Sequence, residues 1–302
     1  MLLKFGANRP VIIVSTAAAA KEMMKTHDTT FCARPLTSAL EAVSKRGLGI
    51  VFDPYGDHWR QMRKICFQEL LSAKRIASFG SIRGVETDRF IRSISAASGP
   101  VVNLSEMLAA YLTDTTVHTI MGGQFTEQDT LLRHVDEAVG IVSGVALPDL
   151  FPSSRLARAM SNHTAQGRCV HQEDIVDVLL RVQGEGNLEP PLTMNNIKAV
   201  LFDLLAGGTE TTSTTLQWAM AELMRNPNMM SRAQDEVRAA FMAQNKVTEE
   251  GLGELSYLQC IIKETLRLHP PGPLIPRECR ENCRILGYDV PKGTTVLVNV
   301  WA

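Results

Sequence analysis

The sequence predicts a mainly α-helical protein with a small β-sheet region. The first indication is one long helical pattern that begins after Thr193 as N-cap and ends at Asn226, before Pro227. These limits give about 32 residues, or ~48 Å of helix, which is long enough to cross a domain. The second indication is a pair of β-branched runs near the two ends of the chain, residues 11–14 and 295–300, which we expect to share one sheet.

Further helices are predicted between these strands. Asp53 and Pro54 suit the N-cap and first turn of a helix that reaches about Phe67, and Asn103 suits the N-cap of another that ends at Met121. Other helical patterns cover residues 131–142, 174–182, 229–241 and 255–268.

Composition excludes several classes of protein. The chain has 302 residues, 45% of them hydrophobic, and a net charge of −1 without basic clusters, which disfavours disorder and nucleic-acid binding. Six cysteines are too few for a disulfide framework, and Cys279, Cys283 and His269 lack the paired spacing of a zinc site. The sequence as read contains no signal peptide, no membrane span and no motif of the zinc-hydrolase, serine-hydrolase or P-loop classes.

The centre of the long helix has an unusual composition for a buried element. Gly207 and Gly208 each cost about 1 kcal/mol relative to alanine, and they are followed by Glu210, Thr211 and further threonines. Apolar flanks predict that this centre is buried. Two interpretations stay open: close packing with hydroxyls bonded back to carbonyls, or a helix locally opened beside a ligand, with Glu210 and Thr211 handling protons.

Two other stretches carry candidate residues. In WRQMR, Trp59 and Arg63 share a helix face and could hold a carboxylate-bearing ligand, although a packed tryptophan beside a surface arginine is the simpler reading in isolation. In KETLRLHPP, Glu264 and Arg267 lie opposite the apolar positions 255, 258, 262 and 266, so helical geometry predicts a solvated ion pair.

Taken together and in this order, WRQMR, GGTETT and KETLRLHPP resemble the cytochrome P450 superfamily, in particular its plant-type microsomal haem-thiolate monooxygenases. The resemblance covers nearly the whole chain and implies one partial P450 domain over residues 1–302. It implies a haem cofactor (iron protoporphyrin IX), O2, a small hydrophobic organic substrate of plant secondary metabolism and NADPH-cytochrome reductase as electron donor. It also implies the cytosolic face of the endoplasmic reticulum, although the chain without an anchor would equally suit the cytosol.

The resemblance assigns roles to individual residues. Trp59, Arg63 and Arg277 would contact the haem propionates, and Gly207 and Gly208 would line the haem. Thr211 would be the threonine of the oxygen-binding groove, with Glu210 as its acidic neighbour. Glu264 and Arg267 would form a buried structural network, which contradicts the solvated pair expected from geometry alone.

The sequence departs from the family's pattern in one decisive motif. None of the six cysteines lies in the loop FxxGxRxCxG that supplies the axial thiolate, so no iron ligand is assigned. The membrane anchor is also missing, and the segment between Pro152 and Glu173 is short for the helices over the substrate pocket. These departures favour a truncated chain and leave an alternative function: a catalytically inactive helical protein.

Overall fold

Helices form most of the chain, and a small sheet joins residues from its beginning and its end. The structure is a computed structural model that describes residues 1–5, 9–35, 49–97, 101–122, 175–186, 188–242 and 247–302. The strands are β1 Leu2–Phe5, β2 Arg9–Val14, β3 Leu274–Glu278, β4 Cys283–Ile285, β5 Tyr288–Val290 and β6 Thr295–Asn299. The helices are α1 Ala17–Lys21, α2 Asp57–Ile65, α3 Ala73–Ser78, α4 Gly80–Ala96, α5 Leu104–Met121, α6 Ile175–Gly184, α7 Met194–Arg225, α8 Pro227–Phe241 and α9 Ser256–Leu268.

Short helical turns of other types accompany three of these helices. π-Helical turns continue α1 over Glu22–Thr26 and α2 over Cys66–Leu70, and a 3-10 helix, Glu249–Glu254, precedes α9. No helix in the described ranges is long and apolar enough to cross a membrane.

The predicted pairing of the two terminal strand regions is confirmed. The four-stranded sheet has the order β1-β2-β6-β3, in which β2 runs parallel to β6 and the two outer pairs are antiparallel. Val296 and Val298 are buried as their alternation predicts, whereas Val300 is exposed because it lies beyond the end of β6. Strands β4 and β5 form a separate hairpin.

The long helix α7 has the predicted limits. Thr193 and Asn196 form a reciprocal capping box at its start, and Asn226 ends the helix before Pro227, at which α8 begins. The helix continues through Gly207 and Gly208, so the structure shows no local opening at these residues, which was one of the two interpretations.

The start of α2 differs from the prediction. The carboxylate of Asp53 pairs with the ring of His58 and caps no backbone N–H, so the helix begins at Asp57 with Gly56 at the N-cap position. Asn103 does cap α5, since its side chain accepts the N–H of Glu106 at 3.3 Å. The predicted helix over 131–142 lies outside the described residues.

Three apolar clusters hold these elements together. The largest gathers buried side chains of α2, α5, α6 and the first half of α7, including Ile65, Val117, Leu179 and Val200. A second lies between the sheet and α1, and a third small one joins α7, α8 and α9. The largest cluster therefore places α2 and the first half of α7, which carry the first two candidate motifs, around one apolar core.

Candidate functional site

The glycine-threonine segment of α7 lies at the surface of the described structure. Gly207, Gly208, Glu210 and Thr211 are all exposed, so the prediction of a buried centre is wrong. The apolar flanks do pack, with Leu205 in the largest cluster, but this polar face is directed away from it. A carboxylate on such a face needs no buried partner, which removes the energetic objection to Glu210.

The threonine hydroxyls follow the packing interpretation of this segment. Thr211 Oγ1 donates to the carbonyl oxygen of Gly207 at 2.6 Å, and Thr209 Oγ1 donates to that of Leu205 at 2.6 Å. Such bonds to the preceding turn satisfy the hydroxyl hydrogen without breaking the helix. The hydroxyl oxygen of Thr211 keeps its capacity to accept a further hydrogen bond.

The two glycines have different surroundings. A Cβ on Gly208 would stand 3.4 Å from Cγ2 of Thr116 on α5, so Gly208 allows the two helices to approach closely. A Cβ on Gly207 would meet no atom within 4 Å. Gly207 therefore serves no packing contact in the described structure, and its helix face is open to a flat ligand.

Trp59 and Arg63 lie on one face of α2, as predicted. The guanidinium of Arg63 lies over the Trp59 ring, 5.2 Å from its centroid, and over the Phe67 ring at 4.7 Å. In the part of the chain that the structure describes, Arg63 is exposed and pairs with no carboxylate. The Trp59 indole N–H is already used, because it donates to the carbonyl of Ile50 at 3.0 Å. Arg63 is thus available to an anion, whereas Trp59 positions it.

Arg277 is a half-buried cation on β3. Its guanidinium donates to the carbonyl of Pro276 at 3.2 Å. Burial lowers the pKa of Arg277, and the nearby charge of Asp28 opposes that shift. Because only part of its hydrogen-bonding capacity is used, Arg277 could also receive an anion.

An aromatic bridge connects the region of Arg277 to α2. The guanidinium of Arg280, just after β3, lies 5.6 Å from the centroid of Tyr55, and Tyr55 lies 5.5 Å from Trp59, centroid to centroid. The structure therefore brings α2, the segment after β3 and, through the core, α7 into one neighbourhood.

The pair on α9 is separate from this neighbourhood and is exposed. Arg267 donates twice to Glu264, at 2.8 and 2.6 Å, while 66% and 50% of the two side chains remain accessible. The hydrogen bonds from Arg267 hold the pKa of Glu264 below its ordinary range. In the described chain this pair is exposed, as helical geometry predicts, and the buried network implied by the resemblance stays a prediction, because no described element covers this face.

The apolar face predicted for α9 is also wrong in part. Ile261 and Thr265 are the buried side chains in the body of the helix, whereas Ile262 and Leu266 are each 42% exposed. The packed face is set by contact with α7 and α8 in the third cluster, which turns Ile261 inward.

Sequence reasoning missed one residue at the site, Asp203. It lies one turn before Gly207, is partly buried, and accepts the backbone N–H of Val51 at 3.1 Å. Burial raises the pKa of Asp203 to about 6, against opposing hydrogen bonds from the backbone N–H groups of Val51 and Ile50. The available signal was a lone carboxylate within the apolar run VLFDLL.

The described cysteines do not form an evident metal site. Burial raises the pKa of Cys66 and of Cys279 to about 12, so both are protonated thiols at neutral pH. Within the described ranges, no group of three or more His, Cys, Asp or Glu side chains could hold a metal ion. The exposed cation Arg63 and the half-buried cation Arg277 suit the propionates that the resemblance implies, whereas no described cysteine is assigned as the axial ligand.

Comparison with known proteins identifies the family. Residues 1–166 and 155–302 match the family profile described as Cytochrome P450. The chain belongs to the cytochrome P450 family. The P450 chain is 41% identical to premnaspirodiene oxygenase of Hyoscyamus muticus and to tabersonine 3-oxygenase of Catharanthus roseus; both alignments cover 96% of this chain and 64% of the relative.

A third relative extends the match over the whole P450 chain. Desmethyl-deoxy-podophyllotoxin synthase of Sinopodophyllum hexandrum is 41% identical over an alignment that covers 100% of this chain and 65% of that protein. This chain therefore spans about two thirds of the length of these plant relatives.

Solved structures confirm the fold. A zebra fish cytochrome P450 determined with progesterone superimposes with a TM-score of 0.81 and 24% identity, covering 100% of this chain and 75% of that one. The expected class, mainly α with a small sheet in an incomplete P450 fold, is confirmed.

Proposed function

We propose that this chain contributes the oxygen-side half of a haem monooxygenase site, which inserts one atom of O2 into a small hydrophobic organic substrate. The observation that carries the proposal is the open face at Gly207, with Glu210 and Thr211 beside it, on a helix that shares an apolar core with the helix that presents Arg63. Membership of the P450 family supports the cofactor and the reaction class. The plant relatives are named as oxygenases and a synthase, which supports a substrate from plant secondary metabolism.

The assigned residues would hold the cofactor by its two acidic groups and its face. Arg63 and Arg277 would pair with the propionates, since charge-assisted hydrogen bonds to guanidinium are stronger than neutral ones. The open helix face at Gly207 would lie against the ring system. When bound, haem supplies the iron at which O2 is reduced and one oxygen atom is transferred.

Glu210 and Thr211 would manage protons on this face. Glu210 is exposed and can exchange protons with solvent. To donate into the groove, the Thr211 hydroxyl has to turn its hydrogen away from the Gly207 carbonyl, and one water molecule can link it to Glu210. NADPH-cytochrome reductase at the cytosolic face of the endoplasmic reticulum is the electron donor that this proposal requires.

The proposal is tested by haem uptake of the purified chain. Titration with haem should give saturable binding, and Arg63→Ala should weaken it about tenfold, because one charge-assisted hydrogen bond is lost. Lys64→Ala is the matched control, since Lys64 is an exposed cation on the same helix, and it should bind as the wild type does. Equal affinity of all three proteins would contradict the propionate assignment.

The second candidate function, a catalytically inactive helical protein, is favoured by one observation: none of the six cysteines lies in the motif FxxGxRxCxG that supplies the axial thiolate. Reduction of the haem-loaded chain under carbon monoxide separates the two functions. A Soret band at the position of thiolate-ligated iron supports the monooxygenase, and single cysteine variants then identify the ligand. A band without thiolate character, or no uptake of haem, supports the inactive protein.

The proton role is tested with an isosteric pair. Thr211→Val should leave haem affinity unchanged but lower the fraction of consumed O2 that reaches product by at least tenfold, as expected for a lost proton donor. Thr212→Val, an exposed neighbour, should retain both properties. Equal effects of the two variants would assign the loss to helix propensity and not to proton delivery.

A further inference from the structure

A partly buried carboxylate connects the loop before α2 to the long helix. This loop, residues 49–56, is called the entry loop here. Oδ2 of Asp203 on α7 accepts the N–H of Val51 at 3.1 Å, and the neighbouring N–H of Ile50 also acts on this carboxylate, since it lowers the pKa of Asp203. Two consecutive backbone amides of the entry loop therefore depend on one side chain of α7.

The same loop is held from the opposite side by α2. The carbonyl of Ile50 accepts the indole N–H of Trp59 at 3.0 Å. Ile50 thus connects Asp203 on one helix with Trp59 on the other. Since the Arg63 guanidinium lies over the Trp59 ring, the position of this cation depends on the same connection.

Gly49 shows how closely the loop approaches Asp203. A Cβ at position 49 would stand 2.0 Å from Oδ2 of Asp203 and 2.9 Å from the carbonyl oxygen of Ala199. Such distances are not tolerated, so only glycine fits while the carboxylate occupies this place. The glycine at position 49 therefore leaves the space that the carboxylate of Asp203 occupies, although the two residues are 154 positions apart in the sequence.

No charge in the described structure compensates for the burial of Asp203. Cys66, on the π-helical turn after α2, is the titratable group that faces it, and its thiol is neutral. Among the described residues, no lysine, arginine or histidine bonds to Asp203, and the bonds that it makes are those to the entry loop. A leucine here would bury the same surface at lower cost, so the carboxylate is explained by the amides that it binds.

We propose that Asp203 is a positioning residue for the cofactor site: it fixes the entry loop and thereby holds Trp59 and Arg63 where the guanidinium can reach a propionate. This inference rests on the proposed function for its cofactor. The contact between Asp203 and the entry loop, called the Asp203 clamp here, is a property of the chain without haem. Asp203 acts through Ile50 and Trp59 and touches no reacting atom.

The clamp is tested first without haem. In Asp203→Leu, which removes both acceptor oxygens, the amides of Ile50 and Val51 should exchange hydrogen at least tenfold faster than in the wild type. Asp203→Asn keeps one acceptor oxygen and should retain most of the protection. Asp235→Leu makes the same change on the exposed part of α8 and should leave the entry loop unchanged. Unchanged exchange in Asp203→Leu would overturn the inference.

The effect on the site is tested by haem affinity. Asp203→Leu should bind haem about tenfold more weakly, Asp203→Asn should largely restore binding, and the double variant Asp203→Leu/Arg63→Ala should be no weaker than Arg63→Ala. Additive losses would show that Asp203 does not act through Arg63 and would overturn its positioning role.

The two proposals fail in different ways. If the wild type takes up no haem, the proposed function is contradicted. The clamp is then tested by hydrogen exchange and by the fluorescence emission of Trp59, measured in a Trp218→Phe/Trp301→Phe background in which Trp59 is the remaining tryptophan. Emission should shift to longer wavelength in Asp203→Leu and stay in place in Asp203→Asn. If Asp203→Leu does not fold, the clamp is tested with Gly49→Ala, because the methyl group of the alanine would displace the carboxylate of Asp203. Hydrogen exchange and Trp59 emission like those of the wild type in this variant would contradict the clamp.

Discussion

Two carboxylates on packed helices of this chain have opposite environments. Asp203 on α7 is partly buried and bound by uncharged amides, and burial raises its pKa to about 6. Glu264 on α9 is exposed, and two hydrogen bonds from Arg267 lower its pKa. The charged guanidinium of Arg267 is a stronger donor than the neutral amides that bind Asp203. Water nevertheless screens the Glu264–Arg267 pair and solvates both side chains when the pair is broken, so the pair contributes little to stability. Burial, and not the quality of the hydrogen bonds, decides which carboxylate matters to the fold.

The largest effect is expected from the core around Asp203. Leu179, in the same apolar cluster as Val200, is fully buried, so Leu179→Ala should lower the free energy of unfolding by about 2–5 kcal/mol. Ile262→Ala, near Glu264 on the exposed part of α9, should lower the free energy of unfolding far less. Urea unfolding of both variants measures the difference. Similar costs would break the contrast between the two regions.

The pH dependence of stability should have opposite signs at the two carboxylates. The pKa of Asp203 is about 6 in the folded chain against an ordinary value of 3.8. Its contribution to folding is therefore fully present below pH 3.8 and is lost as the pH rises through 6. Asp203→Asn should gain stability relative to the wild type over that interval, by at most about 3 kcal/mol.

The control for this pH profile is Glu264→Gln. The pKa of Glu264 is lowered by Arg267, so its contribution is present above the ordinary pKa and is lost as the pH falls through the folded value. Urea unfolding between pH 4 and 8 should therefore give a difference curve that rises with pH for Asp203→Asn and a nearly flat one for Glu264→Gln, because Glu264 is exposed and loses its contribution only at lower pH. Parallel curves would contradict the assigned environment of Asp203.

Gly207, between the two regions, tests the open face of α7. Gly207→Ala should raise the free energy of unfolding by up to about 1 kcal/mol, because alanine is the better helix former and its Cβ meets no described atom. The same variant should bind haem more weakly if this face lies against the ring. Gly208→Ala is a useful comparison, since Thr116 has to yield to it. A destabilised Gly207→Ala would show that the face is covered.

The smallest effect is expected at the exposed ion pair. Neither Glu264→Gln nor Arg267→Gln should move the urea midpoint of this chain beyond experimental error, and added salt should leave the comparison with the wild type unchanged. A large loss of stability in either variant would instead support the buried network that the family resemblance implies.

Local sequence signals predicted the fold well where the physical cause is also local. Thr193 and Asn226 with Pro227 defined α7 because caps and proline act within one turn. Asn103 defined the start of α5 for the same reason. The prediction failed at Asp53, whose carboxylate found a competing partner in His58, an interaction that the cap pattern does not contain.

The sequence determined which helices form and which motifs they carry, because periodicity, caps and the joint occurrence of WRQMR, GGTETT and KETLRLHPP are properties of the chain itself. Only the tertiary structure decided burial. It exposed Glu210 and Glu264, and it placed the partly buried Asp203 against the amide of a loop residue 152 positions earlier in the chain. A helix pattern gives the spacing of side chains but not the element that packs on each face, so the Asp203 clamp could be found only in three dimensions.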